Sequence, residues 1–246
     1  MKKNKKILIT GGHGRFGKIL KNILFKKREF IFLKKKELNI LKPNQIKKVL
    51  LKYKPLCVIH LAGLSRPMIL HEKDPCRSIS LNIIGTSNLV VECARLNIKI
   101  IYFSSQYVYP GTRGNYDESS PVLPMNNYAW SKLGGECAVK MYKNSLILRV
   151  NMSERPWVHK YAFKNIKSNF LYHDEVAKIL PSLINQYGIV NIGSNNNSIL
   201  KFAKRTNKLV KGKNYKNKKN EPNMPKNSTL NISKLKKILK KKFSFI

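Results

Sequence analysis

The sequence is poor in acidic residues, cysteines and long apolar runs. It has 12 Asp and Glu against 49 Lys and Arg, so the formal net charge is +37. The spacing of its four cysteines fits neither a disulfide framework nor a metal site, so we expect no metal and a reducing compartment, the cytoplasm. No apolar run approaches the roughly 18–20 residues that span a bilayer, and no cleavage site follows the basic N-terminus. We therefore expect neither a membrane span nor a secretory leader.

The large basic surplus raises the question of nucleic-acid binding. Only nine of the 49 basic residues are arginine, the residue that grips phosphates and bases at two points. The lysines are spread along the whole chain. This distribution favours a generally basic surface that steers anionic ligands over a specific nucleic-acid reader. A nucleic-acid binder driven by charge alone stays an alternative.

Apolar periodicity predicts a regular alternation of strands and helices. Such an order is typical of a doubly wound parallel sheet, the α/β Rossmann class, with helices on both faces. The predicted strands are Lys6–Thr10, Glu29–Leu33, Leu56–Leu61, Lys99–Ser104 and Ser145–Val150. The predicted helices are Arg15–Lys27, one that begins at Pro43, Arg77–Leu96 and Asn126–Tyr142. In the helix Arg77–Leu96, we expect an inward face that consists of Ile79, Ile83, Ile84, Val90 and Val91.

After Val150 the pattern loosens. It predicts a helix at Asp174–Gln186, a strand at Gly188–Ile192, a helix near Ser198–Asn207, a solvated loop at Lys208–Asn220 and a helix at Ser233–Lys242. We therefore divide the chain into a dinucleotide-binding domain, residues 1–150, and a short substrate-binding lobe, residues 151–246. Segments near residues 170–207 return to the first domain.

A glycine-rich turn follows the first predicted strand. Thr10–Gly17 reads TGGHGRFG and leads directly into a helix. Gly11 permits the tight turn, Gly14 lets the backbone approach a pyrophosphate, and Gly17 lets the helix pack near the strand. The helix N-terminus then offers free N–H groups to the anion. This context predicts a dinucleotide site.

The end of the second predicted strand bears on the choice of cofactor. NAD-selective sites place a carboxylate there to hold the ribose hydroxyls. Here Phe32 and Leu33 are followed by Lys34, Lys35 and Lys36 before the first carboxylate, Glu37. A cationic cluster suits a 2′-phosphate, so we expect NADPH, with NADH also accepted. Lys34 and Arg15 are the candidates for this phosphate.

A possible proton-transfer group lies further along the chain. Tyr128 and Lys132 are four residues apart, which places them on one face of a helix. A neighbouring ammonium lowers the pKa of a phenol from about 10, so we expect a lowered pKa for Tyr128 and a general acid or base. Ser105 follows a strand that ends at the sheet edge where α/β proteins build their sites. Its hydroxyl could orient a substrate carbonyl.

Taken together, these motifs resemble those of extended short-chain dehydrogenases/reductases, the NAD-dependent epimerase/dehydratase superfamily. Within it the chain is most similar to dTDP-4-dehydrorhamnose reductases. The resemblance is carried by the cofactor loop (Thr10–Gly17), the segment along the cofactor (His60–Gly63), the serine segment (Ser104–Tyr109) and the Tyr–Lys pair. Glu37–Ile40 is similar to the adenine-contacting segment, with Asn39 where Asp is usual. The stretch between Arg149 and Gly188 is short for this family.

The resemblance implies a hydride transfer to a 4-keto nucleotide sugar in the synthesis of surface polysaccharide precursors. It implies Ser105, Tyr128 and Lys132 as catalytic residues. The implied cofactor contacts are Gly11, Gly14, Arg15, Phe16, Gly17, Lys34, Asn39, Ile40, Leu61, Ala62, Gly63, Tyr128 and Lys132. The partners expected are the nucleotide-sugar substrate and, as an open possibility, a second copy in a homodimer. Two alternatives stay open: an epimerase or dehydratase with tightly bound NAD, and a non-catalytic NADP-binding regulatory subunit.

Overall fold

The computed structural model describes residues 6–24, 29–217, 221–240 and 243–245. The strands are β1 (Ile7–Thr10), β2 (Phe30–Phe32), β3 (Cys57–His60), β4 (Lys99–Ser105), β5 (Ser145–Val150), β6 (Met152–Ser153), β7 (Tyr161–Phe163), β8 (Lys167–Ser168), β9 (Leu171–Tyr172), β10 (Gly188–Ile192), β11 (Asn197–Ser198) and β12 (Lys211–Lys213). The α-helices are α1 (Arg15–Leu24), α2 (Pro43–Tyr53), α3 (Ile69–Lys73), α4 (Pro75–Ser78), α5 (Gly85–Arg95), α6 (Asn127–Lys140), α7 (His173–Leu183), α8 (Ile199–Ala203) and α9 (Ser233–Leu239). A π-helical segment covers Ile79–Ile84, and a 3₁₀ turn covers Gln106–Val108.

Six strands form one parallel sheet in the order β10-β5-β4-β3-β1-β2. β1 has β2 on one side and β3 on the other, so the direction of winding reverses there. Open α/β sheets bind their ligands in the crevice at such a point, outside the carboxyl ends of the strands. The doubly wound parallel sheet is confirmed, and the bounds of β5 and β10 are those predicted.

Alternating side chains of the sheet face two helical layers. Ile7 and Ile9 of β1 belong to one apolar core, which α1, α7 and α9 cover. Leu8, between them, belongs to the opposite core, which α2 and α5 cover. Since successive side chains of a strand point to opposite faces, an unbroken apolar strand is the pattern of a sheet buried on both sides. The core therefore lies directly below the candidate site.

The helix expected at Arg77–Leu96 differs from its prediction. It is α4, the π-helical segment and α5 in succession. Ile79, Ile84 and Val91 are each almost half exposed, whereas Asn82 is buried. The inward face predicted for those three residues is wrong, because a π turn adds a residue and rotates everything after it.

A small lobe forms beside the sheet from chain segments beyond Val150. Three two-stranded pairings, β6 with β9, β7 with β12 and β8 with β11, surround an aromatic core. β12 lies within the stretch predicted as a solvated loop, and Val210 and Tyr215 are buried there. That prediction is wrong for residues 211–213, because the polar lysines alternate around apolar positions that the lobe buries. Residues 218–220 of the same stretch lie outside the described residues, as do residues 25–27 and 241–242 of the predicted helices.

Two searches of the described residues concern membranes and metals. None of the helices described is both long and apolar enough to cross a bilayer. Among the same residues, no three His, Cys, Asp or Glu side chains cluster so that they could hold a metal ion.

Candidate active site

The glycine-rich turn between β1 and α1 is closed by its own backbone. Gly11 has a positive φ of 65°, and the Gly14 amide donates to the Gly11 carbonyl at 2.9 Å. A Cβ on Gly17 would lie 2.6 Å from the Gly12 carbonyl carbon, so the helix start packs directly on the turn. On Gly14, the same atom would meet only the Gly11 oxygen, at 3.2 Å. The cradle therefore keeps backbone N–H groups accessible at the N-terminus of a ten-residue helix, which fits a dinucleotide pyrophosphate.

The loop after β3 forms the second wall. A Cβ on Gly11 would lie 2.6 Å from the Ala62 amide nitrogen, so the two loops pack backbone to backbone. Leu61, Ala62 and Gly63 line the same cavity as Gly11, Gly14, Arg15, Phe16 and Gly17. The cavity holds about 1060 Å³, at the upper end of the usual range for ligand sites. The structure thus brings together the predicted residues of both loops.

Ser105, Tyr128 and Lys132 line this cavity too. Ser105 ends β4, and its hydroxyl accepts from the Tyr107 amide at 3.1 Å. Tyr128 and Lys132 lie one turn apart on α6, whose start is fixed by the Asn126 side chain accepting from the Ala129 amide at 2.9 Å. A side-chain hydrogen bond joins the Tyr128 phenol to Ser105. A phenol and a hydroxyl that already share a hydrogen bond can both reach one carbonyl oxygen.

The electrostatics of Tyr128 differ from the prediction. Burial raises the pKa of the phenol, while the hydrogen bond from Ser105 and the charges of Arg66 and Arg15 lower it only in part. The predicted lowering by Lys132 is therefore wrong for this structure. The Lys132 ammonium instead lies 4.2 Å from the ring centroid of Tyr102.

Lys132 has a strongly perturbed charge of its own. Burial lowers its pKa to about 7, against the carboxylate of Glu136, which raises it. Glu136 is one turn further along α6 and is buried. Near neutral pH the amine is therefore poised between its two protonation states, as a group that hands on a proton should be.

A buried asparagine ties α6 to the loop after β3. The side-chain amide of Asn82 donates to the Leu64 carbonyl at 2.9 Å and to the Ser131 hydroxyl at 2.8 Å. Its oxygen accepts from the Leu64 amide at 2.7 Å. Asn82 sits in the π-helical segment, a feature that recurs at functional sites. The orientation of the catalytic helix against the cofactor loop therefore depends on one satisfied side chain.

A second buried network starts at the glycine-rich turn. The Thr10 hydroxyl lies 2.8 Å from His60 Nδ1, and His60 Nε2 lies 3.0 Å from the Thr86 hydroxyl. Because Thr86 donates its own proton to the Asn82 carbonyl at 2.7 Å, the imidazole must donate from Nε2. Burial lowers the pKa of His60 to about 3, with a smaller lowering from Lys132. His60 is thus a neutral link between the turn and the π-helical segment.

Three predicted cofactor residues lie apart from the others. Lys34, Asn39 and Ile40 are not among the residues that line the cavity. Lys34 is exposed, and its amide donates to the Glu37 carboxylate at 2.7 Å. The Ile40 side chain is buried against Gly85. Their contacts with an adenosine end stay predictions.

The cavity contains groups that the motifs did not reveal. Arg66 donates to Glu154 at 2.8 and 3.1 Å, and Arg15 lies 3.6 Å from the same carboxylate. Arg15 therefore points across the cavity instead of towards Lys34. The far end is walled by aromatic and basic side chains: Trp157, Lys160, Tyr161, Phe163, Phe170 and Lys213. The scarcity of arginine in the sequence was the one available signal for Arg66.

Comparison with known proteins follows from this geometry. A family model described as RmlD substrate binding domain matches residues 5–189. The chain is 30% identical over 145 residues to methionine adenosyltransferase 2 subunit beta of Pongo abelii, which covers 55% of this chain and 43% of the relative. It is 33% identical over 145 residues to GDP-6-deoxy-D-talose 4-dehydrogenase of Aggregatibacter actinomycetemcomitans, which covers 56% and 48%. The chain therefore spans less than half the length of these curated relatives.

A solved structure matches over nearly the whole fold. It is dTDP-4-dehydrorhamnose reductase from Bacillus anthracis str. Ames in complex with NADP, with a TM-score of 0.82 and 23% identity. The match covers 94% of this chain and 90% of the other. At this level of identity, the likeness concerns the fold.

Proposed function

The chain belongs to the RmlD substrate binding domain family, and from this membership we propose that it is an NADPH-dependent reductase of a 4-keto nucleotide sugar, with NADH as a second cofactor. One observation supports the proposal above all: Ser105, Tyr128 and Lys132 line the same cavity as the glycine-rich turn. Two similar proteins, a 4-dehydrorhamnose reductase and a 6-deoxy-talose 4-dehydrogenase, carry names that place their chemistry at the sugar 4-position.

A reduced nicotinamide, when bound, supplies the hydride. Gly11, Gly14, Phe16 and Gly17 would hold its dinucleotide at the turn, with Leu61, Ala62 and Gly63 along its other side. The first domain, residues 1–150, would thus bind the cofactor, and the short lobe, residues 151–246 without the segments that return near 170–207, would hold the nucleotide sugar.

The protein's own side chains would handle the proton. Ser105 would donate a hydrogen bond to the ketone oxygen and so orient the carbonyl. Tyr128 would give its proton to the same oxygen as negative charge develops there. Lys132 would contact the nicotinamide ribose and return a proton towards the phenol.

The basic surface would serve collection of substrate. Both ligands are anionic, and a net charge of +37 steers anions towards the protein over long distances. No specific nucleic-acid partner is proposed. A cytoplasmic location and a homodimer remain predictions from the sequence.

The direct test is NADPH oxidation, followed at its near-ultraviolet absorbance, with a small panel of 4-keto nucleotide sugars. Tyr128→Phe should lower kcat by about 10²–10⁴-fold, the range for loss of a positioned proton donor. Tyr142→Phe is the matched control, because this tyrosine is absent from the cavity lining, and it should keep normal turnover. Near-normal turnover of Tyr128→Phe would end the proposed chemistry.

A second candidate is a cofactor-binding regulatory subunit. The observation that favours it is the 30% identity to a protein named as a subunit beta. It predicts NADP⁺ binding without turnover of any sugar in the panel. The third candidate, an epimerase or dehydratase, predicts NAD that co-purifies with the protein and no net consumption of NADPH.

A further inference from the structure

The ion triad Arg66–Glu154–Arg15 crosses the cavity between three separate elements. Arg15 begins α1, Arg66 follows the β3 loop, and Glu154 follows β6. Both oxygens of Glu154 accept from Arg66, at 2.8 and 3.1 Å. Arg15 reaches one of them at 3.6 Å and also donates to the Ser65 hydroxyl at 3.1 Å. The carboxylate thus lies where two guanidinium groups converge.

Glu154 is also out of character with its surroundings. Among the described residues that line the cavity, it is the only carboxylate, against two arginines and three lysines. A cavity proposed to take two anionic ligands should repel such a charge. Its carboxylate therefore has a cost for binding that needs a reason.

The recognition chemistry of the triad suits another anion equally. A guanidinium fork binds a carboxylate and a phosphate with the same pair of parallel hydrogen bonds. The three side chains are only partly buried, at 34% exposure for Arg66, 48% for Arg15 and 23% for Glu154. Ion pairs at such sites are weak enough to exchange their anion.

We propose that Arg66 and Arg15 form a diphosphate-binding pair, and that Glu154 is a built-in competitor which an entering diphosphate displaces. This inference rests on the proposed function for the origin of the ligand, since both the dinucleotide and the nucleotide sugar contain a diphosphate. It assigns Arg66 a contact with the ligand. It assigns Glu154 the role of setting affinity, so that binding is reversible despite the strongly basic protein.

The position of the pair links ligand binding to the reacting group. The charges of Arg66 and Arg15 are both felt by the Tyr128 phenol. A diphosphate in place of Glu154 would keep these guanidiniums neutralised. The local charge beside Tyr128 therefore changes little when the anions exchange.

The test measures affinity by isothermal titration calorimetry at one low ionic strength. The probes are inorganic pyrophosphate, UDP and NADP⁺, and the proteins are the full chain and its Glu154→Gln variant. An ion pair of this kind contributes up to about a fivefold change in an equilibrium constant, and Glu154 makes two. We therefore expect Glu154→Gln to bind pyrophosphate about three- to tenfold more tightly.

Asp174→Asn is the matched control. Asp174 is 25% exposed and pairs with Arg155 at 2.9 Å, but it is not among the cavity-lining residues. It removes the same unit of charge, so it should alter each affinity less than about twofold. A second variant, Arg66→Gln, should weaken pyrophosphate binding about tenfold or more. In Arg66→Gln, the added Glu154→Gln change should lose most of its effect, because the two residues act on one site.

The arms of the experiment separate the two sources of diphosphate. A gain for UDP identifies the substrate diphosphate as the ligand, and a gain for NADP⁺ identifies that of the cofactor. Unchanged affinity for all three probes in Glu154→Gln, or an equal gain in Asp174→Asn, would overturn the inference. The proposed function fails separately: it fails if no sugar in the panel is reduced, whatever these affinities are.

Discussion

Glu136 offers the sharpest test of what holds the catalytic helix to the sheet. Its carboxylate accepts from Arg149 Nε at 3.1 Å, from Arg149 Nη2 and from the Ser104 hydroxyl at 2.7 Å. Glu136 and Arg149 are nearly inaccessible to solvent, with side chains 2% and 4% exposed. Glu136→Ala leaves a buried guanidinium whose remaining partner is the Tyr109 hydroxyl, at 2.7 Å.

We expect Glu136→Ala to lower the free energy of unfolding by about 3–5 kcal/mol, the cost of breaking a buried pair from one side. That is a large part of the ~5–15 kcal/mol that stabilises a typical native protein. The measurement is urea unfolding at neutral pH, followed by far-ultraviolet circular dichroism. The control is Lys178→Met, which removes an exposed pair with Asp174 at 3.6 Å and should cost less than about 1 kcal/mol.

A double variant separates the lost attraction from the stranded charge. Glu136→Leu with Arg149→Met removes both ions, and apolar replacement of a buried pair is often neutral or stabilising. The double variant should therefore be more stable than the sum of its two single variants predicts. A loss below about 1 kcal/mol in Glu136→Ala, or strict additivity in the cycle, would refute the view that this pair fixes α6 to β4 and β5.

Two further predictions concern pH and the glycine-rich turn. Burial lowers the pKa of His60 to about 3 and that of His173 to about 4, so the unfolded chain takes up protons below about pH 6.5 that the folded chain does not. The free energy of unfolding should therefore fall as pH drops from 6.5 to 5, by about 2 kcal/mol for each histidine. His60→Gln should flatten this slope, whereas a change at the exposed His159 should not, and an unchanged slope in His60→Gln would contradict the assignment. Gly14→Ala should weaken NADP⁺ binding at least about tenfold with little loss of stability, because its Cβ meets only the Gly11 oxygen at 3.2 Å; equal NADP⁺ affinity would exclude a close backbone approach there.

The order of the sheet could be predicted because its strands are apolar throughout. Ser145–Val150 and Gly188–Ile192 have the predicted bounds, since both are short buried runs between turn signals. The π-helical segment could not be predicted in this way. An argument from a constant 3.6-residue period puts Ile84 inward, and nothing in the local pattern marks where the extra residue enters.

The candidate site divides along the same line. Gly11 with Gly17, and Tyr128 with Lys132, are close in the chain, so spacing and local structure are enough to find them. Arg66 and Glu154 are 88 residues apart and meet only through the packing of the lobe. An ion pair at that separation has no period for a sequence argument to detect.

The raised pKa of Tyr128 shows how burial changes the chemistry that spacing suggests. A lysine four residues on indicates a phenolate, but removal of the phenol from water penalises the anion more than the nearby cations favour it. The phenol is therefore kept protonated at neutral pH, which is the form that can donate a proton to a developing alkoxide. Reduction of a ketone needs this donor, whereas oxidation of an alcohol needs the phenolate. Among the reactions that a Tyr–Lys pair can serve, this environment favours the reductive direction that we propose.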